Sequence, residues 1–583
     1  MKKTLKRLIF SLILIFLASC SAPKTVRLAE SEPVPTKPPT VKASYVRSSP
    51  ANPRAYYYFI LSQLQLREGK LAEAINSLNE AIRYDPKEPS LRVQLAHLYI
   101  FTGSLDKAID ECKIALAQDP RSLSAYLLLG GIYTSTRNTK AAIESYRKTI
   151  DIDPTNRESY LYLASLYSDT KEYEKAVQTL ESFLKIEPNS PMGLYSLGRI
   201  YAEMKQYPKA KEFFLKALAV DPNEITILMD LGIIHEILNE PEKAIEAYQR
   251  ILVLDPDNKK ARNRLGQVFV KEKKLDEALS QFRELQKSDA KDLNIHTRMG
   301  LIYLEQGNLD QAILEFNFVL AANPQDDRIR YYLGAAYVEK EALDQALIEF
   351  KKIPKESALF ADSRRSIVLI LKKQNRLNEA VQVMEDAIRA KPKDSDLYLT
   401  LAALHEKENQ TEKAVAVIQR GLKQNPEDTE LQFQLGALYD KAGDFEKAVA
   451  QMKEVLRLKP DSADALNYLG YSYAEKGIHL QEALTMIQKA MALKPNMGFI
   501  TDSLGWVYYQ LGEYDKAVTE LEKANQLTPD DSVISEHLAD GYFKLNQVQK
   551  ALSFYEKALS LDPKPDQADR LRKKIKEIKE KKK

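Results

Sequence analysis

Proline recurs every 34 residues through most of this 583-residue chain, and this period constrains the fold more than any other sequence feature. Ala290 and Ala358 occupy two of the expected positions, and one spacing is 35 rather than 34. A fixed period of roughly 20–50 residues is typical of proteins built from stacked copies of one small unit. With this proline as position 32, fifteen repeats extend from residue 55 to residue 565. The prolines that set the period are Pro86, Pro120, Pro154, Pro188, Pro222, Pro256, Pro324, Pro392, Pro426, Pro460, Pro495, Pro529 and Pro563.

Each repeat has the residue pattern of two packed helices. Position 20 is Ala in all fifteen repeats, and position 8 is Gly or Ala in thirteen, the exceptions being Ser62 and Val368. Small residues at these positions allow two helices to approach closely, while large residues at positions 7, 11, 24 and 27 form helical stripes beside them. Proline at position 32 cannot continue the second helix. The sequence therefore predicts an all-α protein of fifteen stacked helical hairpins.

The repeats resemble tetratricopeptide repeats (TPR) over about residues 55–565. The resemblance implies a right-handed superhelical solenoid of about fifteen hairpins that binds protein or peptide partners, although such arrays serve many different partners. In the third repeat it is carried by Tyr126, Leu129, Gly130, Tyr133, Ala142, Tyr146 and Pro154.

Two irregular features subdivide the predicted array. Pro354 lies inside the second helix of repeat 9, and Val368 replaces the small residue of repeat 10, so we expect the helix to stop early. Residues 354–368 are then a kink or joint between an N-terminal array (55–353) and a C-terminal array (369–565), or a tolerated irregularity. Residues 566–583 are predicted to form a basic helix that caps the last repeat through Ala568, Leu571, Ile575 and Ile578.

The N-terminus has the pattern of a lipoprotein signal. Residues 1–19 have a basic start and an apolar run too short to span a bilayer. Leu17-Ala18-Ser19-Cys20 resembles the bacterial lipobox, which implies lipidation of Cys20; the alternative is an ordinary secretory signal with a chance cysteine. Residues 20–54 are a proline-rich tether. Because Ser21 is not the aspartate that retains enterobacterial lipoproteins in the inner membrane, we expect a periplasm-facing lipoprotein of the outer membrane in the bacterial cell envelope.

The composition argues against several other classes of function. A net charge of +3, much of it carried by the signal and the basic tail, leaves no basic face for nucleic acid. The repeats leave no room for a catalytic domain, and no phosphate-binding or metalloprotease motif occurs. His235 and His405 stand at position 11, where most repeats have Tyr, and Cys112 stands at position 24, so all three are predicted to pack. We therefore expect no enzyme activity, no cofactor, no metal site and no small-molecule substrate.

The TPR resemblance implies a concave groove lined by positions 2, 5, 6, 9, 12 and 13 of the first helices. In repeats 1–6 these positions are apolar or aromatic, including Tyr195 and Met229. A basic zone in repeats 7–9 consists of Lys260, Arg264, Arg298 and Arg328. An aromatic zone in repeats 12–15 consists of Phe433, Tyr471, Phe499, Trp506, Tyr509 and Phe543.

Both zones are hypothetical partner-binding surfaces, and each has an alternative. The aromatic residues can instead pack between neighbouring first helices, and the cations can form a solvated face. Lys260 and Arg264 match two positions of the carboxylate clamp in chaperone-binding TPR proteins, but Tyr195, Arg199 and Asp230 do not match the others. Trp506 is the only tryptophan, and we expect it to anchor a partner without being needed for its hairpin.

Repeats 13–15 resemble the C-terminal repeats of long bacterial TPR lipoproteins. The segments ALNYLGYSYAEKGIHLQEAL and DSLGWVYYQLGEYDKAV carry this resemblance. Some members of that family are adaptors that bind a periplasmic carboxyl-terminal-processing protease and deliver peptidoglycan hydrolases to it. The first hypothesis is therefore a lipid-anchored periplasmic scaffold or adaptor that presents substrates to a processing protease. The alternative is an assembly factor for a secretin, pilus or exopolysaccharide export complex.

Overall fold

The computed structural model describes residues 52–580. Within this range it contains 31 α-helices and no strand, which confirms the all-α fold of stacked helical hairpins. None of these helices is both long enough and apolar enough to cross a membrane. The signal at 1–19, Cys20, most of the tether and the last three residues lie outside the described residues.

The chain divides into two compact units at Val319 and Leu320. The first unit holds the first sixteen helices, the last of which continues three residues past the boundary. These helices are α1 Pro53–Arg67, α2 Leu71–Tyr84, α3 Pro89–Phe101, α4 Leu105–Gln118, α5 Leu123–Ser135, α6 Thr139–Ile152, α7 Arg157–Asp169, α8 Tyr173–Ile186, α9 Pro191–Glu203, α10 Tyr207–Val220, α11 Ile225–Ile237, α12 Pro241–Leu254, α13 Lys259–Lys271, α14 Leu275–Ser288, α15 Leu293–Gln306 and α16 Leu309–Ala322.

The second unit holds the helices of repeats 9–15 and one further helix at its end. These helices are α17 Asp327–Glu339, α18 Leu343–Lys351, α19 Phe360–Lys373, α20 Leu377–Ala390, α21 Ser395–Lys407, α22 Thr411–Gln424, α23 Thr429–Lys441, α24 Phe445–Leu458, α25 Ala463–Lys476, α26 Leu480–Leu493, α27 Gly498–Gln510, α28 Tyr514–Leu527, α29 Ser532–Lys544, α30 Val548–Ser560 and α31 Pro565–Glu580.

The helix bounds follow the repeat frame read from the prolines. The first helix begins at position 1 in thirteen repeats, and the second begins at position 17 in every repeat except the thirteenth, which carries the extra residue. Position 15, in the turn between them, has a left-handed backbone in all fifteen repeats. Glycine and asparagine suit that conformation, whereas a residue such as Lys205 (φ 59°) is held there against its own preference by the two helices.

Positions 8 and 20 form the close contact within each hairpin. All fifteen alanines at position 20 are 0–2% exposed. Position 8 faces the side chain at position 24, so that a Cβ on Gly232 would lie 2.5 Å from Tyr248 Cε1. In repeat 2 the same contact is formed by Ala96 at position 8 and the smaller Cys112 at position 24, which is 0% exposed. This burial confirms the prediction of a small buried apolar residue, and it raises the pKa of the Cys112 thiol to about 12.

Successive repeats also meet between position 5 of one first helix and position 6 of the next, 35 residues later. The Tyr195 hydroxyl donates to Asp230 Oδ2 at 3.0 Å. His537 Nδ1 lies 3.0 Å from Asp502 Oδ1 at the same pair of positions in repeats 14 and 15. We call this relation the 35-residue step.

Helix α18 has only nine residues and ends at Lys351, before Pro354, as predicted. The Arg364 guanidinium donates to the carbonyl oxygens of Phe350 (2.7 Å) and Ile353 (3.0 Å), which satisfies backbone acceptors left by the early stop. Val368, in place of a small residue, is 3% exposed. That residues 354–368 act as a joint stays a prediction.

Helix α31 packs on the last repeat, as the sequence predicted. Leu571 is 0% exposed and Ile578 is 5% exposed. Its cations do more than contact solvent, because Lys574 Nζ lies 3.1 Å from Glu536 Oε1 and 2.7 Å from Asp540 Oδ1. The basic face therefore neutralises carboxylates of α29, one of which is nearly buried.

Candidate protein-binding cleft

A cleft of about 850 Å³ opens on the first helices of repeats 12–15, within the second compact unit. It lies at groove positions, and three of the six residues of the predicted aromatic zone line it, namely Phe433, Tyr471 and Phe499. The other residues that line it are Thr429, Glu430, Val455, Lys459, Ser462, Asp464, Asn467, Tyr468, Asp502, Ser503, Asp531, Val533 and Ile534.

The apolar part of the cleft is aromatic and partly open to solvent. Phe433 and Tyr468 meet edge to face with ring centroids 5.9 Å apart. Phe499, at position 2 of repeat 14, is 44% exposed. Such surfaces hold apolar side chains of a ligand while water is excluded around them.

The polar part of the cleft is mainly acidic. Glu430, Asp464, Asp502 and Asp531 face a single cation, Lys459, among the residues that line it. Lys494, just outside, lies 2.7 Å from Asp464 Oδ2. The Asp531 carboxylate accepts from the backbone N–H groups at the start of α29.

Apart from the Tyr468 hydroxyl, the Asn467 side chain holds the one buried polar group on the cleft wall that lacks a hydrogen-bond partner among the described residues. Its Oδ1 is buried and accepts no hydrogen bond within residues 52–580. A buried acceptor without a donor costs free energy until a donor reaches it. A peptide N–H group entering the cleft would satisfy it.

A buried acid–base pair lies beneath this wall. Asp502 (5% exposed) and His537 (7% exposed) are held 3.0 Å apart by the 35-residue step. Burial disfavours the imidazolium form, but the charge and hydrogen bond of Asp502, with the charges of Asp540 and Glu536, raise the pKa of His537.

Trp506 and Tyr509 lie in an aromatic stack rather than on the cleft wall. The Trp506 ring stacks on His537 at 4.0 Å and on Tyr509 at 4.7 Å. Its Nε1 is buried without an acceptor among the described residues. The indole thus packs against repeat 15, while the expectation that Trp506 is not needed for its own hairpin stays a prediction.

Phe543 also lies away from the cleft lining. It is 40% exposed near the end of α29, in the last repeat. A role for Phe543, Trp506 or Tyr509 in binding a partner stays a prediction.

The predicted basic zone divides between the two compact units. Lys260 and Arg264 on α13 and Arg298 on α15 belong to the first unit, and Arg328 on α17 belongs to the second. Arg264 Nη1 lies 3.5 Å from Glu236 Oε1, and Arg298 lies over the Phe282 ring. Arg328 Nη2 lies 3.6 Å from Asp326 Oδ2, while Lys260 is exposed. Three of the four cations thus contact carboxylate or aromatic groups of their own unit.

Both histidines at position 11 take part in packing contacts. His235 Nδ1 lies 2.6 Å from Glu240 Oε2, and His405 Nδ1 lies 3.1 Å from Gln410 Oε1. Burial lowers the pKa of His235, although the Glu240 carboxylate acts in the opposite direction. In residues 52–580, no three His, Cys, Asp or Glu side chains are grouped to hold a metal ion.

Sequence reasoning missed Asn467, Tyr468 and the Asp502–His537 pair. Asn467 and Tyr468 occupy positions 5 and 6 of repeat 13, between groove residues that were identified. The pair could have been found from the 35-residue step, had its geometry been known.

Comparison with known proteins identifies the same repeat throughout the chain. Models described as tetratricopeptide repeat match residues 65–131, 133–194, 191–224, 228–292, 297–358, 371–439 and 466–568, and a TPR repeat model matches 440–477. A search of curated proteins gives no match.

Several solved structures are similar to parts or most of the chain. The APC/C hetero-tetramer Cut9–Hcn1 is 16% identical over 78% of this chain and 96% of that one, with a TM-score of 0.35. Naa15/Naa10 bound to HypK-THB is 14% identical over 90% and 96%, with a TM-score of 0.35. YrrB, a TPR protein with an unusual peptide-binding site, is 26% identical over 34% and 100%, with a TM-score of 0.30.

Proposed function

Because the chain belongs to the tetratricopeptide repeat family, whose members are scaffolds for protein–protein interaction, we propose that it is a lipid-anchored adaptor of the bacterial cell envelope. In this proposal Cys20 holds the protein at the outer membrane, and the array faces the periplasm. The cleft in repeats 12–15 binds a segment of a partner protein. One role for such an adaptor is to present substrates to a processing protease.

The cleft is the observation that carries the binding proposal. It combines partly exposed aromatic surface, four carboxylates, of which Asp464 pairs with Lys494 and Asp502 with His537, and the orphan acceptor of Asn467 in one concavity of about 850 Å³. Apolar anchors, basic side chains and a backbone donor of a peptide would satisfy these three features in turn. The expected ligand is therefore an extended segment with an apolar or aromatic residue close to Lys or Arg.

The binding proposal is tested with a photocrosslinking amino acid placed at Phe499 in the full chain, in cells. The matched control position is Leu527, which is 45% exposed against 44% for Phe499 but lies outside the cleft lining. We expect one partner to crosslink at Phe499 and not at Leu527.

Affinity for the partner found in this way is then measured with Phe499→Ala and Leu527→Ala. Phe499→Ala should weaken binding at least tenfold, about 1.4 kcal/mol, whereas Leu527→Ala should leave it unchanged. Equal effects of the two substitutions, or equal crosslinking at the two positions, would contradict the cleft. The identity of the partner decides between a protease system and an export complex.

The anchor is tested separately. Cys20→Ala removes the residue that would carry the acyl chains on which stable membrane attachment depends. The variant should therefore remain unprocessed or be released from the membrane fraction. Normal processing and outer-membrane fractionation of this variant would rule out the lipoprotein proposal without affecting the cleft.

A further inference from the structure

The first helix of the array exposes a face whose equivalent is buried in the later repeats. Position 3 of the first helix is buried in all fourteen of repeats 2–15, and position 10 is buried in thirteen of them. Packing between successive repeats accounts for this burial. In repeat 1 the same positions are Tyr57 and Leu64, which are 62% and 50% exposed.

The open face of α1 is a continuous apolar strip. Ile60, which lies between Tyr57 and Leu64 along the same side of the helix, is also exposed. Leu61 is half-buried, whereas position 7 is buried in all the later repeats. The strip is thus the surface on which another repeat would stack.

Neither the proline-rich tether nor the C-terminal helix offers a suitable cover. Residues 21–51 contain no proline-free run longer than ten residues, while the second helices are 13–14 residues long wherever no proline interrupts them. At the other end of the array, α31 carries Arg572, Lys576 and Lys579 in ion pairs, and such a charged surface does not suit an apolar strip.

We propose that this face binds the same face of a second copy of the chain, with the two α1 helices antiparallel about a two-fold axis near Leu61. An isologous contact of this kind buries each strip against its own copy. It also sets the two helix dipoles antiparallel, which is favourable. The inference does not depend on the proposed cleft, because the strip lies in repeat 1 and the cleft in repeats 12–15, but it rests on the proposed removal of the signal at residues 1–19.

The contact is expected to be weak. A helix of 15 residues is about 22 Å long, and one helix pair buries less area than a standard stable interface. Dimers should therefore depend on concentration.

The test is disulfide trapping in the full chain with Ile60→Cys. Near the axis, the two engineered thiols would be offset by about 3 Å along the helices. The control Val253→Cys lies on α12 and is more exposed, 81% against 39%, so random collisions favour the control. The two native cysteines do not account for a difference in dimer yield between the variants. Cys112 is buried with a raised thiol pKa, and Cys20 is common to both variants.

We expect Ile60→Cys to give at least ten times more disulfide-linked dimer than Val253→Cys. Adding Tyr57→Glu should abolish that product, while Phe101→Glu, equally exposed at 62% but on α3, should not. An equal yield from the two cysteine variants, insensitivity to Tyr57→Glu, or a product with a mass other than twice the chain would overturn the proposal.

Discussion

The groove is filled at position 5 of repeats 5 and 6 and open in repeats 12–15. In the first region Tyr195 is 8% exposed, Met229 is 7% exposed, and the buried Asp230 accepts a hydrogen bond from Tyr195. In the second, Phe433 at the same position is half-buried, and it borders a cleft of about 850 Å³ together with Phe499 at position 2, which is 44% exposed. An aromatic residue at a groove position therefore does not by itself distinguish packing from binding. Its neighbour 35 residues later must also be considered.

The 35-residue step explains why the two regions differ. In repeats 5 and 6 it joins a large tyrosine to a short aspartate, so the ring itself fills the groove. In repeats 14 and 15 it joins Asp502 to His537, and the imidazole is covered by Trp506. The bulk of the second pair thus lies beside the groove, which leaves space above Asp502.

The largest expected effect is on the filled groove. Tyr195→Ala removes a buried ring and should cost about 3–5 kcal/mol of local stability. Because repeat arrays couple mainly through neighbours, the loss should appear as faster hydrogen exchange in repeats 4–6. Phe499→Ala, at position 2 in the open groove, removes a ring that is 44% exposed and should cost less than about 1 kcal/mol. Similar losses from both substitutions would remove the distinction between the two grooves.

A smaller effect is expected at the aromatic stack beside the cleft. Trp506→Ala removes two stacked pairs, each worth about 0.5–1.5 kcal/mol beyond area burial, so a loss on the order of 2 kcal/mol is expected in repeats 14 and 15. Phe543→Ala, at a 40% exposed ring, serves as the control and should change little. The intrinsic fluorescence of the wild-type chain should be blue-shifted, because the indole Nε1 is buried. Solvent-exposed emission together with unchanged hydrogen exchange in Trp506→Ala would contradict the stack.

The smallest effect is a pH dependence of opposite sign in the two units. The pKa of His537 is raised, so its contribution to stability is complete below the unfolded value of about 6.5 and is lost as the pH rises through the folded value. The pKa of His235 is lowered, so its contribution is present above about 6.5 and is lost as the pH falls through the folded value.

Hydrogen exchange corrected for its intrinsic pH dependence measures both slopes. Raising the pH from about 5.5 to about 8 should lower protection in repeats 14 and 15 and raise it in repeat 6. His537→Gln and His235→Gln should each remove only the local slope. Slopes of the same sign in both units, or slopes that survive these substitutions, would show that other groups control them.

Much of the fold could be predicted because the repeat imposes local rules. Proline at position 32, alanine at position 20 and the small residue at position 8 predicted fifteen two-helix repeats, and the helix bounds follow that frame. Pro354 also indicated the early end of α18. These rules depend on backbone geometry and on packing inside one hairpin, which a sequence period records directly.

The site could be predicted only in part because it depends on contacts between repeats. Phe433, Tyr471 and Phe499 follow from position numbers alone. Trp506 does not line the cleft because it stacks on His537, which lies one repeat later. His537 in turn contacts Asp502. Likewise, the basic helix α31 was identified, but its pairing with Glu536 required knowing which face of α29 it covers.

The fit between positions 8 and 24 has a consequence for how such a chain changes over evolutionary time. Gly232 with Tyr248 and Ala96 with Cys112 are two solutions to one steric problem, and Ala539 with Tyr555 is a third, in which a methyl group and a tyrosine ring are both buried at this contact. Substitutions at the two positions are therefore expected to be non-additive within a hairpin, and the same substitution should cost different amounts in different repeats. Repeats that look interchangeable in an alignment would diverge in coupled pairs, and shuffled arrays should be assembled from whole hairpins rather than from single helices.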